Sequence, residues 1–443
     1  MRRQNSMLYR LLQAVGLAAL TTCIIAIYFR QQKLSAIHLQ LKKETVHAKG
    51  IKADNSGRAA SNVVPALAEP WGSHHTYVRP GPYDPCPKQF IEGTWTSQRS
   101  MGNATLPFTL EAQREIHENQ HPPDCSKAKY LIYQVGSNGI GAVFHVTGVA
   151  LHVALDLGRV FVEEPTTFLT RSPQCEGKPT LDSCYFLPFG GCKPTEEQMR
   201  NAVTLRSSDI VAGSGALDAP VVVAMHDVLV RIRADAPKRF LSRLKTTPLD
   251  PAKYYYWWRA QSVTYMLRLR PEILQDLEQR RKRFLSGPSP APGCISVHVR
   301  HGDKGVEATV FDDRVYDETA AKVRALDPSY FMDQLFVSTE DPETIDYFVN
   351  KTKWRTGYTS GVPRKPDRNK ANLAYMHDIG YYEEMLNSLL NLDLAMECWA
   401  FVGSIYSNWV RLIDELRATI RCKANAVFAD VHYQNPHEMD VNW

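Results

Sequence analysis

The chain has 443 residues, of which 44% are hydrophobic and 22% charged, with a net charge of +5. That length exceeds one ordinary core, so two domains plus appendages are expected, and the balance is that of a globular protein rather than a disordered or fibrous one. So mild a charge allows a cationic patch for an anionic ligand but does not call for nucleic acid as a partner.

Leu11 to Phe29 is an apolar run of 19 residues between Arg10 and Arg30, just long enough to cross a bilayer. The residues that follow, Arg30-Gln31-Gln32-Lys33, offer no small-residue cleavage site. The run therefore predicts an uncleaved signal anchor over 11–29, behind a tail of residues 1–10. Basic residues flank both sides of it, so charge alone does not set its orientation. Of nine cysteines, Cys23 lies inside the run, which leaves eight beyond it, none in a Cys-x-x-Cys pair. An even number beyond an anchor fits an oxidising lumen and predicts at least two disulfides, with Cys175, Cys184 and Cys192 in a stapled loop. The sequons at Asn103 and Asn350 agree with that side.

Residues 30–85 are polar and then rich in Gly, Ser, Asn and Pro, as a stem would be. A first α/β domain is expected over 86–290. In it Tyr130–Val135 reads as a strand, Gly136–Gly141 as a glycine turn, Ala142–Leu155 as a helix and Arg159–Val162 as a strand. Glycine turns before helices are common, yet exposed amides at a helix start make an anion site easy to build, so Gly139 is a candidate. The aromatic run Tyr254–Arg259 reads as core or domain wall rather than a sugar-stacking platform. It leads into a helix expected from Ser262 to Leu277. Gly287–Gly293, rich in proline, marks the boundary. A second domain, 291–443, opens with a strand at Cys294–Val299. Leu335–Asp341 reads as another strand and Tyr381–Leu394 as a helix with Leu386, Leu389, Leu390 and Leu394 on one face. A strand at Cys398–Ile405 and a helix to about Ile420 complete a parallel α/β pattern.

The densest chemistry follows the opening strand. His298 and Arg300 sit on alternate positions, the strand breaks at Gly302, and His301, Asp303, Lys304 and Glu307 crowd the loop. Open α/β folds place ligands at such carboxyl ends. Arg300 and Lys304 suit an anionic leaving group, Arg as a fork and Lys as a point charge, and Glu307 suits a general base. No Asp-x-Asp triplet, the usual metal holder of nucleotide-sugar transferases, occurs in the chain.

His298-Val-Arg300-His-Gly-Asp303-Lys304 with Glu307 resembles the donor signature of the α1,6-fucosyltransferases, the family that includes core-fucosylating and rhizobial chitooligosaccharide enzymes. Tyr254–Arg270, Val337–Asp341, Leu389–Asp393 and Ser404–Arg411 resemble further family segments in the same order, and the turn at Gly139 matches loosely. The resemblance implies a GT-B-like fold with a Rossmann-like C-terminal donor domain behind a Golgi signal anchor, type II, with the body lumenal. It also implies an inverting, metal-independent transfer of fucose from GDP-fucose to a glycan, without a cofactor. Carried over, Arg300 would bind the diphosphate with His298 and Lys304 beside it, and Asp393 and Ser407 the nucleotide. Asp341 would serve the sugar side and Glu307 would be the base; from the residues themselves, Asp303 is placed to orient Arg300. Two features depart from the pattern: His301 stands where a second Arg is usual, and the Lys304–Glu307 spacing is one residue short. The sequence given ends at Trp443, without the C-terminal SH3-like domain of animal members, so the acceptor stays open. Arg300-His301-Gly302 also has the look of a histidine phosphatase, with His226-Asp227 and His377-Asp378 as pairs. A shortened loop that had lost its base would leave a lumenal binding protein.

Overall fold

The computed structural model describes residues 76–77 and 83–431, apart from 98, 137, 166–167, 213–214, 226–228, 230–234, 303–309 and 366–371. The expected anchor and tail and most of the stem lie outside the described residues. So do His226, Asp227 and three of the site candidates, Asp303, Lys304 and Glu307. All described residues belong to one compact unit, 67–443. Among them no helix is long and apolar enough to cross a membrane.

The elements that position the site begin with β1 (Thr76–Tyr77), α1 (Thr109–Gln120), β2 (Tyr130–Gln134), α2 (Ile140–Asp156), β3 (Val160–Glu163), β4 (Val203–Thr204) and β5 (Val221–Met225). Next come α3 (Tyr254–Met266), α4 (Pro271–Phe284), β6 (Leu285–Ser286), β7 (Ile295–Val299), α5 (Asp313–Leu326) and β8 (Gln334–Thr339). The chain continues through α6 (Pro342–Asp346), β9 (Arg355–Thr359), α7 (Asn372–Ile379), α8 (Tyr381–Glu397), β10 (Ala400–Gly403), α9 (Asn408–Ala418) and β11 (Phe428–Asp430).

Two sheets result. The first is a four-stranded parallel sheet, in the order β3-β2-β5-β4. The second has seven strands in the order β1-β11-β10-β7-β8-β9-β6; its five inner strands are parallel and its two edges antiparallel. Strands alternating with helices predict such parallel sheets, because each crossover lays a helix on a face. The centre of the larger sheet is β7, where Val297 lies opposite both Val337 and Val402. All five of its residues are buried, as happens when both faces are covered. Ile295, Val297 and Val299 pack with Tyr316, Ala320 and Val323 of α5. Strand alternation turns Ser296 and His298 to the opposite face, on which α8 packs.

The aromatic run is core. Trp257 and Trp258 are fully buried, and their indole N–H groups donate to the carbonyls of Pro107 (2.7 Å) and Gly148 (3.0 Å). The one helix expected from Ser262 to Leu277 is two, α3 and α4, with Pro271 in the first turn of the second. Proline lacks an N–H and has a preset φ, so it starts a helix more readily than it continues one. Four disulfides use all eight cysteines: Cys86–Cys422, Cys125–Cys192, Cys175–Cys184 and Cys294–Cys398. Cys192 thus leaves the expected local cluster to reach Cys125. Cys294–Cys398 ties the start of β7 to the turn between α8 and β10.

Candidate functional site

A cavity of about 350 Å³ opens at the carboxyl ends of β7 and β8. Two helix starts form one side of it, Asn138–Ala142 at α2 and Ser407–Trp409 at α9. They come very close: a Cβ on Gly141 would stand 2.9 Å from the carbonyl carbon of Asn408. Only glycine lets the two backbones meet there. Orphan N–H groups and the positive end of the helix dipole make each start favourable to an anion. The facing wall is α8, which presents Glu384, Asn387, Ser388 and Asn391. Their i, i+3, i+4, i+7 spacing is one face of a helix.

The same alternation that buries Val297 and Val299 against α5 delivers His298 and Arg300 to the cavity. The His298 ring is buried, with Nδ1 2.9 Å from Ser338 Oγ. Its Nε2 has no hydrogen-bond partner among the described residues. Burial, opposed by the charge of Glu340 and aided by that of Arg300, lowers its pKa to about 4. The imidazole is therefore neutral near pH 7. Arg300 donates to the His301 carbonyl (2.6 Å) and pairs with Glu340 at 2.5 Å. Gly302, at φ +65°, then turns the chain out of the strand. Among the described residues no group of three His, Cys, Asp or Glu is arranged to hold a metal ion.

No protein-family model matches the chain. Its sequence is 23% identical over 241 residues to an alpha-(1,6)-fucosyltransferase of Drosophila melanogaster, covering 53% of this chain and 36% of that protein. The chain thus spans about a third of the length of the curated relative it matches. Among solved structures, NodZ alpha-1,6-fucosyltransferase soaked with GDP-fucose aligns at 16% identity and a TM-score of 0.40, over 66% of this chain and 93% of that one. A mutant Arabidopsis thaliana FUT1 in complex with GDP aligns at 11% identity and a TM-score of 0.39, over 70% and 72%. POFUT1 in complex with GDP-fucose aligns at 11% and 0.34, over 68% and 96%. The chain is thus similar in sequence, over about half of its length, to an alpha-(1,6)-fucosyltransferase.

Of the residues singled out from sequence, the cavity gathers His298, Arg300, Ser407 and Gly139. Ser407 precedes α9 and makes no side-chain cap bond, and Gly139 precedes α2 at φ −60°, an ordinary conformation. Three others point elsewhere. His301 falls on the α5 side of the strand, where Nδ1 lies 2.8 Å from Asp341 Oδ2 and Nε2 lies 2.9 Å from the Phe311 carbonyl. Asp341 caps α6, its Oδ1 accepting from the Glu343 N–H at 2.9 Å. Burial acts to lower the His301 pKa. The bonds to Asp341 and the Phe311 carbonyl, with the charge of Asp313, outweigh it and raise the value. The pair is a brace between the ends of β7 and β8, not part of the cavity lining. Asp393 pairs with Arg421, which also donates to the Trp95 carbonyl at 3.0 Å. It stands two residues past Asn391, about 200° around the helix by its 100° step, and so misses the cavity.

Sequence reasoning overlooked Glu384, Asn391 and Glu340. The signal for the first two was present, because the polar positions of α8 repeat with the same period as its leucines. Glu384 is half-buried, with Ser388 Oγ 3.3 Å from its Oε1. Burial raises its pKa to about 7, with Glu340 adding and Ser388 and Arg300 opposing.

Proposed function

We propose that the chain transfers fucose from GDP-fucose to a hydroxyl of a glycan, with inversion and without a divalent cation. The fold would be a GT-B-like pair of α/β domains. The observation that carries this reading is the meeting of Arg300 with two helix N-termini in one cavity, on a strand whose residues resemble a fucosyltransferase donor signature. Departure of GDP develops negative charge on the diphosphate. The Arg300 guanidinium can take it as a fork, and the amides of α2 and α9 can solvate it without reorganising. Neutral His298 can offer a hydrogen bond from Nε2 if Ser338 donates to Nδ1. Glu307, in the loop that follows Arg300, is proposed as the base that takes the acceptor proton, with Lys304 beside the phosphates and Asp303 orienting Arg300. The acceptor is proposed to be the core GlcNAc of an N-glycan, by α1,6 linkage, or a chitin-like oligosaccharide. The setting is proposed to be the Golgi lumen behind a single anchor.

The phosphatase reading needs a histidine nitrogen facing the ligand, whereas both ring nitrogens of His301 are engaged away from the cavity. Nor does His377-Asp378 help, since both side chains are exposed. A panel of nucleotide sugars in EDTA, read by thermal shift, tests the proposal. GDP and GDP-fucose should each raise Tm by several degrees, as ligands that bind only the folded state do, while UDP-sugars should not. Absence of any response to guanine nucleotides would overturn it, and binding without transfer to any glycan would leave a binding protein.

A further inference from the structure

The described side chains that line the cavity include one cation, Arg300, and two carboxyls, Glu340 and Glu384. Arg300 is already matched by Glu340, which also accepts from the His301 N–H at 2.9 Å. A ligand carrying a diphosphate brings further negative charge into the same space. Glu340 is thus engaged by two donors, the Arg300 guanidinium and the His301 N–H. Glu384 differs: it accepts a 3.3 Å contact from Ser388 Oγ and stands in the first turn of α8, facing the cavity. A carboxyl so placed can avoid repelling the ligand only by entering the complex as the neutral acid.

We propose that Glu384 is a ligand-contacting residue of the cavity that takes up one proton when a nucleoside-diphosphate sugar binds and then donates a hydrogen bond to it. The proton comes from solvent and becomes the carboxyl O–H; no other bond changes. This inference rests on the nucleotide-sugar reading of the cavity and adds to it a residue and a proton.

The surroundings of Glu384 agree. Its neighbour Glu383 turns outward to Arg280, 3.0 Å away. Across the cavity stand Glu340, Arg300 and neutral His298 from the two strand ends, and Tyr375 from α7, whose hydroxyl is committed to the Pro363 carbonyl at 2.5 Å. Burial and tyrosine's neighbours hold the Tyr375 hydroxyl above its ordinary pKa, so it stays neutral. Arg364 is turned to the Thr359 carbonyl (2.7 Å). The helix starts of α2 and α9 line the cavity with no titratable side chain. Glu384, with its pKa near 7 before any ligand arrives, is the described group in this set poised to titrate around neutral pH. A second anion brought close by the ligand can only raise it further.

GDP-fucose is the probe, because its diphosphate is esterified at both ends and keeps its charge across this pH range, whereas the terminal phosphate of GDP itself titrates there. Calorimetric titration of the full-length chain should show Kd weakening about tenfold per pH unit above about 7, where the free carboxyl is ionised. In two buffers of different ionisation enthalpy, the heats should report uptake of about one proton at about pH 8 and none at about pH 5.5. Glu384→Gln, neutral at every pH and still a donor, should bind with no such slope and no proton uptake, and Glu383→Gln should behave as wild type. Tight binding whose slope is the same in wild type and Glu384→Gln, or binding at about pH 8 without proton uptake, would overturn the role of Glu384 and leave the donor assignment standing. No binding of GDP-fucose by wild type at any pH would overturn both.

Discussion

Two regions of this molecule bury charge, and they use it differently. At the junction of α2, α3 and α9, Glu415 is fully buried and meets Arg259 at 3.0 Å and His145 Nε2 at 3.0 Å, while His145 Nδ1 lies 2.9 Å from Asn408. At the ends of β7 and β8, Arg300 meets Glu340, but His298 Nε2 has no partner among the described residues and Glu384 faces open space. In the junction each charge has its counter-charge within the protein. In the cavity part of the polar surface is still to be matched. Buried charge as such is therefore poor evidence of function, since a structural ion network perturbs ionisation as strongly as an active site does. The useful distinction is whether the partner is internal or has yet to arrive. The two regions also touch, because Asn408 belongs both to the junction and to the cavity lining.

The comparison can be broken at three points. The largest effect is expected in the junction. Glu415→Ala strands Arg259 and His145 in the interior and should cost about 3–5 kcal/mol of stability, read by urea unfolding. A loss under about 1 kcal/mol would mean that the network is not structural. Arg300→Ala should do the converse, lowering transfer about 10²–10³-fold, measured as kcat/KM for GDP-fucose. Its melting temperature should move little, and Arg300→Lys should recover only part, since an ammonium cannot replace the fork. An equal fall in stability would place Arg300 with the junction instead. The smallest effect concerns the brace. His301 has a raised pKa, so its pairing with Asp341 contributes stability that is fully present below the ordinary imidazole value of 6.5 and fades as pH rises through the raised one. The difference in Tm between wild type and His301→Asn should be widest near about pH 6 and shrink above about pH 7.5. Transfer by that variant should survive, whereas a phosphatase nucleophile could not be replaced.

Much of this was legible beforehand, for reasons tied to particular residues. The strand at 295–299 announced itself by apolar alternation, and that alternation contained the answer about its polar residues. Positions of even number, His298 and Arg300, share one face, and His301 must take the other. Treating the polar residues of the motif as one cluster obscured this, and a period of 2 would have separated them. In α8 the acidic residue nearest the expected place, Asp393, drew attention, while the helical period selects Glu384, Asn387, Ser388 and Asn391. β5 was overlooked because Val221–Ala224 is a short apolar run without flanking periodicity, though it lies inside the smaller sheet between β2 and β4. The disulfide partners were beyond reach, since spacing does not specify connectivity when eight cysteines allow about a hundred pairings.

By itself the sequence determined the elements and the faces of this protein. Apolar period, glycine and proline placement and a charge-dense strand end are local properties, and they specify a parallel α/β body with chemistry at the carboxyl end of one strand. Only the tertiary structure decided which charges meet. Glu340 reaches Arg300 across 40 residues, Asn408 reaches His145 across 263, and Gly141 passes against the start of α9. Those pairings follow from how sheets and helices pack, through contacts between residues far apart in the chain. They separate an ion pair that merely holds the fold from a carboxyl with room for a ligand.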